Sequence, residues 1–91
     1  MTLGFPNPSR SFDEVRNAVR FTGHDGMFEV RFFVEAGALQ QSDPALRGSG
    51  ASEKKYLAAF DASRTPIQNV ARKAYSQGRR DSYTLTAADF R

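Results

Sequence analysis

His24 is the only histidine in a chain of 91 residues that has no cysteine. A lone imidazole can serve as a general base or as one metal ligand. Three- and four-ligand sites recruit several His or Cys, and here carboxylates would have to supply the rest. Asp25 is the next residue, but neighbours on a strand point to opposite faces, so the two form no obvious dyad. Ser9 and Ser11 lie in a Pro/Asn/Ser stretch with no partner base legible in the sequence. Turn and cap chemistry accounts for them better than nucleophilic catalysis. Gly48-Ser49-Gly50 lacks the lysine and helix start of a phosphate loop and reads as linker. These residue types predict a protein that is not an enzyme, with no catalytic residues, no metal and no cofactor.

Binding residues are easier to find. Five basic side chains, Arg64, Arg72, Lys73, Arg79 and Arg80, occur without an acid between positions 64 and 80. Residues 1–50 hold five basic and six acidic side chains, whereas residues 51–91 hold eight and four. That asymmetry makes the five candidates for anion or nucleic-acid contact. The bland reading is a solvated helix face whose cations complement the helix dipole. Arg64 also stands three residues after Asp61 and can pair with it, or reach backbone carbonyls at the chain break. A second candidate set is apolar: Met27 and Phe33 fall on the polar side of the central hairpin and would suit a protein partner or a second copy.

The elements that must carry these residues are organised around positions 18–35. Asp25-Gly26 is a favoured two-residue hairpin turn. It would pair Gly23 with Phe28, Phe21 with Val30 and Val19 with Phe32. Alternation places Val19, Phe21, Phe28, Val30, Phe32 and Val34 on one face. The same register sets Arg20 opposite Arg31, a like-charge pair that should repel. Residues 2–5 predict a short strand stopped by Pro6 and Pro8. Ser11 and Glu14 have capping-box spacing, which predicts a helical turn over 12–16 with Phe12 and Val15 inward. Residues 35–41 predict a short helix, 42–52 a flexible internal loop, and 53–63 a helix. A break at 64–65, with Thr65 as N-cap, starts a second helix at Pro66. Its apolar stripe is Ile67, Val70, Ala71, Ala74 and Tyr75, and Gly78 should end it. Residues 81–86 return to strand pattern, followed by a terminal turn anchored by Phe90.

An antiparallel pair of helices would deliver the last strand antiparallel to 27–35. The predicted fold is therefore α+β: one domain, 1–91, with a small antiparallel three- or four-stranded sheet built on the central β-hairpin. Its two main helices pack on one face. Length and composition agree, with 40% hydrophobic and 25% charged residues. No apolar run is long enough to span a membrane, no signal peptide is expected at the N-terminus, and a cytoplasmic location follows as the expectation.

FPNPSRS near the start, AVRF-x-G-x-D before the turn and EV-x-FFV after it resemble a known family, as do AF-D-x-x-R-x-x-I-x-x-VA in the helices and Y-x-LTA-x-DF at the end. It is the small bacterial family catalogued as domain of unknown function 1488. The likeness covers nearly the whole chain. Thr22 and His24 depart from it, standing where aromatic residues are expected, as does Pro66. The resemblance implies a stand-alone α+β protein and brings no activity, cofactor or partner. The expected role is a non-enzymatic protein-interaction module. The alternative is weak nucleic-acid or polyanion binding through 64–80.

Overall fold

The computed structural model describes residues 3–43, 46, 52–78 and 80–90. Most of the expected loop at 42–52, and Arg79, lie outside the described residues. Five strands form one mixed sheet: β1 (Leu3–Gly4), β2 (Arg10–Asp13), β3 (Ala18–Asp25), β4 (Phe28–Glu35) and β5 (Ser82–Leu85). Three helices, α1 (Ala36–Ser42), α2 (Glu53–Ala62) and α3 (Arg64–Ser76), separate β4 from β5. A 3-10 turn over Ala87–Phe90 follows.

β3 and β4 form the central hairpin, with two-residue alternation as expected. Val19, Phe21, Val30, Phe32 and Val34 are all buried on one face. The register, however, is shifted by two from the expected one: Val19 pairs with Val34, Phe21 with Phe32 and Gly23 with Val30. A two-residue shift keeps every side chain on its face, so hydrophobic patterning cannot detect it. The loop is Gly26-Met27 rather than Asp25-Gly26, with Gly26 at φ +62°. Glycine at the first loop position suits a tight hairpin turn. Two interactions favour the observed register. The Phe21 and Phe32 rings stack 5.3 Å apart, and Asp25 gains a buried place, 4% exposed, where it accepts the Tyr75 hydroxyl at 2.5 Å. The Arg20–Arg31 opposition disappears, because Arg20 faces Phe33 and Arg31 faces Thr22.

β1 and β2 share one edge, both antiparallel to β3. Residues 5–9 bulge between them, because Pro6 and Pro8 have no N–H to give a ladder. Room for the bulge comes from Gly23. A Cβ there would stand 3.0 Å from Leu3 Cδ1 and Phe5 Cε1, and 3.2 Å from Phe32 Cε2. The helical turn expected at 12–16 is instead the end of β2 and a tight turn. The Asp13 carboxylate accepts the Arg16 N–H at 3.1 Å, and Asn17 takes φ 52°. A short polar side chain of this kind competes with helix formation. Phe12 does point inward and stacks on Tyr56 at 5.4 Å, but Val15 is 97% exposed.

α2 is capped by Ser52, whose Oγ accepts the Lys55 N–H at 3.3 Å. Ser63 alone separates α2 from α3, so the break falls one residue before the expected site and Thr65 is helical rather than a cap. Pro66 is the third helical residue, where its missing N–H costs no intrahelical bond. Ile67 and Ala71 are the buried members of the stripe.

The last strand contradicts the antiparallel expectation. β5 runs parallel to β4, pairing Phe32 with Tyr83 and Val34 with Leu85. A parallel neighbour needs a crossover that carries the chain back to its starting end. Here α1, α2 and α3 together are that crossover. The sheet is therefore larger than expected and mixed. α2 and α3 lie over the face that carries Phe21, Phe32 and Tyr83: Phe60 of α2 reaches Phe21 at 5.0 Å, and Tyr75 of α3 meets Tyr83 at 5.9 Å. The largest fully buried side chains are Phe32, Phe60, Leu39, Ile67, Leu85, Val19 and Val34. No helix among the described residues is long and apolar enough to cross a membrane.

Candidate functional site

Of the five basic residues singled out in the sequence, the four among the described residues do not converge. Arg64 donates to Asp61 Oδ1 and to the Pro8 carbonyl, both at 2.8 Å, and its guanidinium lies 5.0 Å from the centre of the Phe60 ring. Arg72 donates to the Leu3 carbonyl at 3.3 Å and lies over Phe5 at 5.1 Å. Both therefore fasten the N-terminal edge to the helices. Lys73 lines a separate shallow groove with Val70, Gln77 and Asp89. Arg80 sits beyond α3, where its N–H donates to the Tyr83 hydroxyl at 3.0 Å.

Arg10 completes the fastening. Its Nε and Nη2 donate to the two oxygens of Asp61 at 3.0 and 2.8 Å. Such a two-pronged charged bond is stronger and more directional than a single one. Hydrogen bonding from Arg10 holds the Asp61 carboxyl below its usual range despite opposing desolvation, and Arg64 adds to the effect. The same bond raises the Arg10 guanidinium. The carbonyl that Arg64 reaches is not one at the chain break, as expected, and only its pairing with Asp61 was legible from spacing. The carbonyl's owner, Pro8, and the role of Arg10 were not, because both require knowing that β2 lies beside α2.

The apolar candidates separate as well. Phe33 is 6% exposed and covered by Arg16, whose guanidinium lies 4.3 Å from the ring centre. Met27 is 99% exposed at the hairpin tip. The two form no common patch. Beside Met27 stands a residue that the sequence reading placed in the core: Phe28 is 68% exposed. It lies on the core-facing side of the sheet but in the last pair before the turn, opposite Asp25. The expected register set it one pair further in, opposite Gly23, whereas here only the Gly26-Met27 loop lies beyond it. The signal that could have found it is the turn itself, with glycine in the first loop position.

Next to this tip is a depression of about 220 Å³ lined by Phe28, Glu29, Val30, Tyr75, Arg80 and Asp81. A different depression, about 240 Å³, lies on the uncovered sheet face among Arg20, Thr22, Glu29 and Arg31. His24 is opposite Glu29, and its Nδ1 is buried without a hydrogen-bond partner. No group of three His, Asp or Glu side chains able to hold a metal occurs among the described residues.

A mixed five-stranded sheet with helices on one face and an apolar hairpin tip exposed at Met27 and Phe28 define a small α+β protein. The chain belongs to the family described as protein of unknown function DUF1488, whose model matches residues 3–86. No curated protein and no solved structure matches it.

Proposed function

We propose that this protein is a non-enzymatic interaction module that engages a protein partner through Met27, Phe28 and the adjoining end of β4. The observation that carries it is two consecutive large apolar side chains exposed at 99% and 68% at the hairpin tip. An aromatic side chain buries about 150–250 Å² when covered, so the pair is a useful anchor. It is also well short of the roughly 800 Å² per partner that a standard stable interface buries. A projecting tip of that size suits insertion into a partner's pocket, with polar surroundings at its rim. Around it stand Glu29, Arg80 and Asp81, of both signs.

Polyanion binding through 64–80 is the weaker reading. Arg64 and Arg72 already serve a carboxylate, an amide oxygen and two backbone carbonyls. Two of the four described cations in that span are thereby occupied. Nor does the tip suggest an acid–base site, since Asp25 is nearly sealed from solvent and holds the Tyr75 hydroxyl.

The test is affinity capture from a bacterial extract, comparing the natural chain with a Met27→Ser/Phe28→Ser double variant of equal thermal stability. At least one protein should be retained by the former and lost by the latter. Identical retention by both would remove the proposal.

A further inference from the structure

Three depressions described above each carry a carboxylate in their lining: Asp89 beside Lys73, Glu29 beside Arg20 and Arg31, and Glu29 with Asp81 beside Arg80. A further depression, of about 210 Å³, carries none. Ser9, Arg10, Ser11, Arg20, Phe21 and Thr22 line it. It is a notch in the edge of the sheet. β1 pairs with β3 at His24 and Asp25, and β2 pairs with it from Ala18 to Phe21, so Thr22 and Gly23 have no strand on that side. Leu3 and Phe5 cover Gly23, which leaves the gap at Thr22. Ser11 is opposite Arg20, so both stand on the uncovered face of the sheet, together with Thr22. Arg10 and the buried Phe21 approach from the helix side.

The charges there suit an anion. Arg10 gives Nε and Nη2 to Asp61 and keeps its Nη1 donors. Asp61 also serves Arg64, so two guanidiniums share one carboxylate and the clasp holds one positive charge in excess. Arg20 adds a second: it is exposed and makes no ion pair among the described residues. Glu29 stands in the neighbouring depression with Arg31, one carboxylate against two cations even there. Hydroxyls at Ser9, Ser11 and Thr22 supply neutral donors beside the two arginines.

We propose that this notch binds a phosphate group, as free phosphate or as a phosphate monoester, between Arg10 and Arg20. A monoester carries about −1.5 to −2 charges and three acceptor oxygens at neutral pH, which matches two uncompensated cations with hydroxyls beside them. A guanidinium grips two oxygens side by side, and the third is left for the hydroxyls of Ser11 and Thr22. A carboxylate has only two oxygens and leaves those hydroxyls without a charged partner. The notch is below the roughly 300–1,000 Å³ of small-molecule pockets, so it takes the phosphate and leaves the rest of a monoester in solvent. Its lining lies outside positions 64–80 and does not include Met27 or Phe28, so the site stands apart from both readings above.

The test titrates the ¹⁵N-labelled chain, at constant ionic strength, with inorganic phosphate, O-phosphoserine, adenosine monophosphate and acetate in turn. Saturable amide shifts should appear at Ser9, Arg10, Ser11, Arg20 and Thr22 at millimolar phosphate. The phosphate compound bound most tightly there names the source of the group. Acetate should bind about tenfold more weakly. Arg20→Gln should weaken phosphate binding about tenfold through loss of a charge-assisted bond, with an unchanged unfolding midpoint. Arg20→Lys keeps the charge but loses the fork, and should fall between the two. Arg80→Gln, in a depression that already holds two acids, should bind as the natural chain does. No saturable shift, shifts spread alike over all the basic residues, equal affinity for acetate, or unchanged affinity in Arg20→Gln would overturn the proposal.

Discussion

The two ends of the sheet treat their exposed edges in opposite ways. On the N-terminal side, the edge formed by β1 and β2 is fastened: Arg10, Asp61 and Arg64 tie β2 and the Pro8 carbonyl to α2 and α3. Arg72 holds the Leu3 carbonyl, and Phe5 sits over the space left by Gly23. On the other side, β5 is four residues long and its pairing with β4 begins only at Arg31, with Arg80 and Asp81 beside Phe28, Glu29 and Val30. Large apolar groups are exposed there, at Met27 and Phe28. Two of the arginines that looked like a binding surface in the sequence, Arg64 and Arg72, thus help to close one edge. The surface proposed above for a partner, at Met27 and Phe28, lies at the other.

If the fastened edge depends on close packing, filling the space at Gly23 should have the largest effect. Gly23→Val forces atoms toward Leu3, Phe5 and Phe32, where the first added carbon already stands at 3.0–3.2 Å. Overpacking of this kind costs about 1–3 kcal/mol. Urea unfolding should show a lower midpoint with an unchanged slope.

Next comes the charged clasp. Asp61→Ala removes the acceptor shared by Arg10 and Arg64, and should cost about 1 kcal/mol, since these groups are partly exposed. Acid probes the same contact. The Asp61 carboxyl is held below its ordinary value of 3.8. The folded state therefore binds its proton less readily than the unfolded state. Stability from this group is fully present above the unfolded value and is lost as pH falls through the folded one. Asp61→Asn should flatten the decline of stability below about pH 4 relative to the natural chain. An equally steep decline in both would locate the acid sensitivity elsewhere.

The smallest effect belongs to the hairpin tip. Met27→Ser and Phe28→Ser should each change unfolding free energy by less than about 0.5 kcal/mol, because neither side chain is buried. A large loss at Phe28 would mean that it belongs to the core after all, as simple alternation suggests.

Alternation did read the hairpin correctly as to faces, because two-residue periodicity is a local property. It could not fix the register, since a shift of two leaves each face unchanged. Besides the turn glycine and the Phe21–Phe32 stack, what favours the observed register is Tyr75, fifty residues from its acceptor Asp25. The stripe on α3 was legible for the same reason as the hairpin faces, and Ile67 and Ala71 are buried as it requires. The direction of β5 was not legible. It depends on how far α1, α2 and α3 carry the chain, a distance that no local pattern encodes. At 12–16 the spacing of Ser11 and Glu14 imitated a helix start, while Asp13 in fact closes a turn through the Arg16 N–H. For the candidate site, Met27 was visible as an apolar residue out of phase. Phe28 was not, because its exposure follows from the register rather than from its neighbours in sequence.

The arrangement of β4 against β5 decides the topology of the sheet, and inter-strand nuclear Overhauser contacts measure it directly. The parallel pairing predicts contacts linking Arg31 with Ser82, Phe32 with Tyr83 and Val34 with Leu85. On the β3 side, contacts should link Phe28 with Asp25 and Val30 with Gly23. An antiparallel contact pattern between β4 and β5, or a second strand alongside positions 28–30 in the isolated chain, would contradict the account.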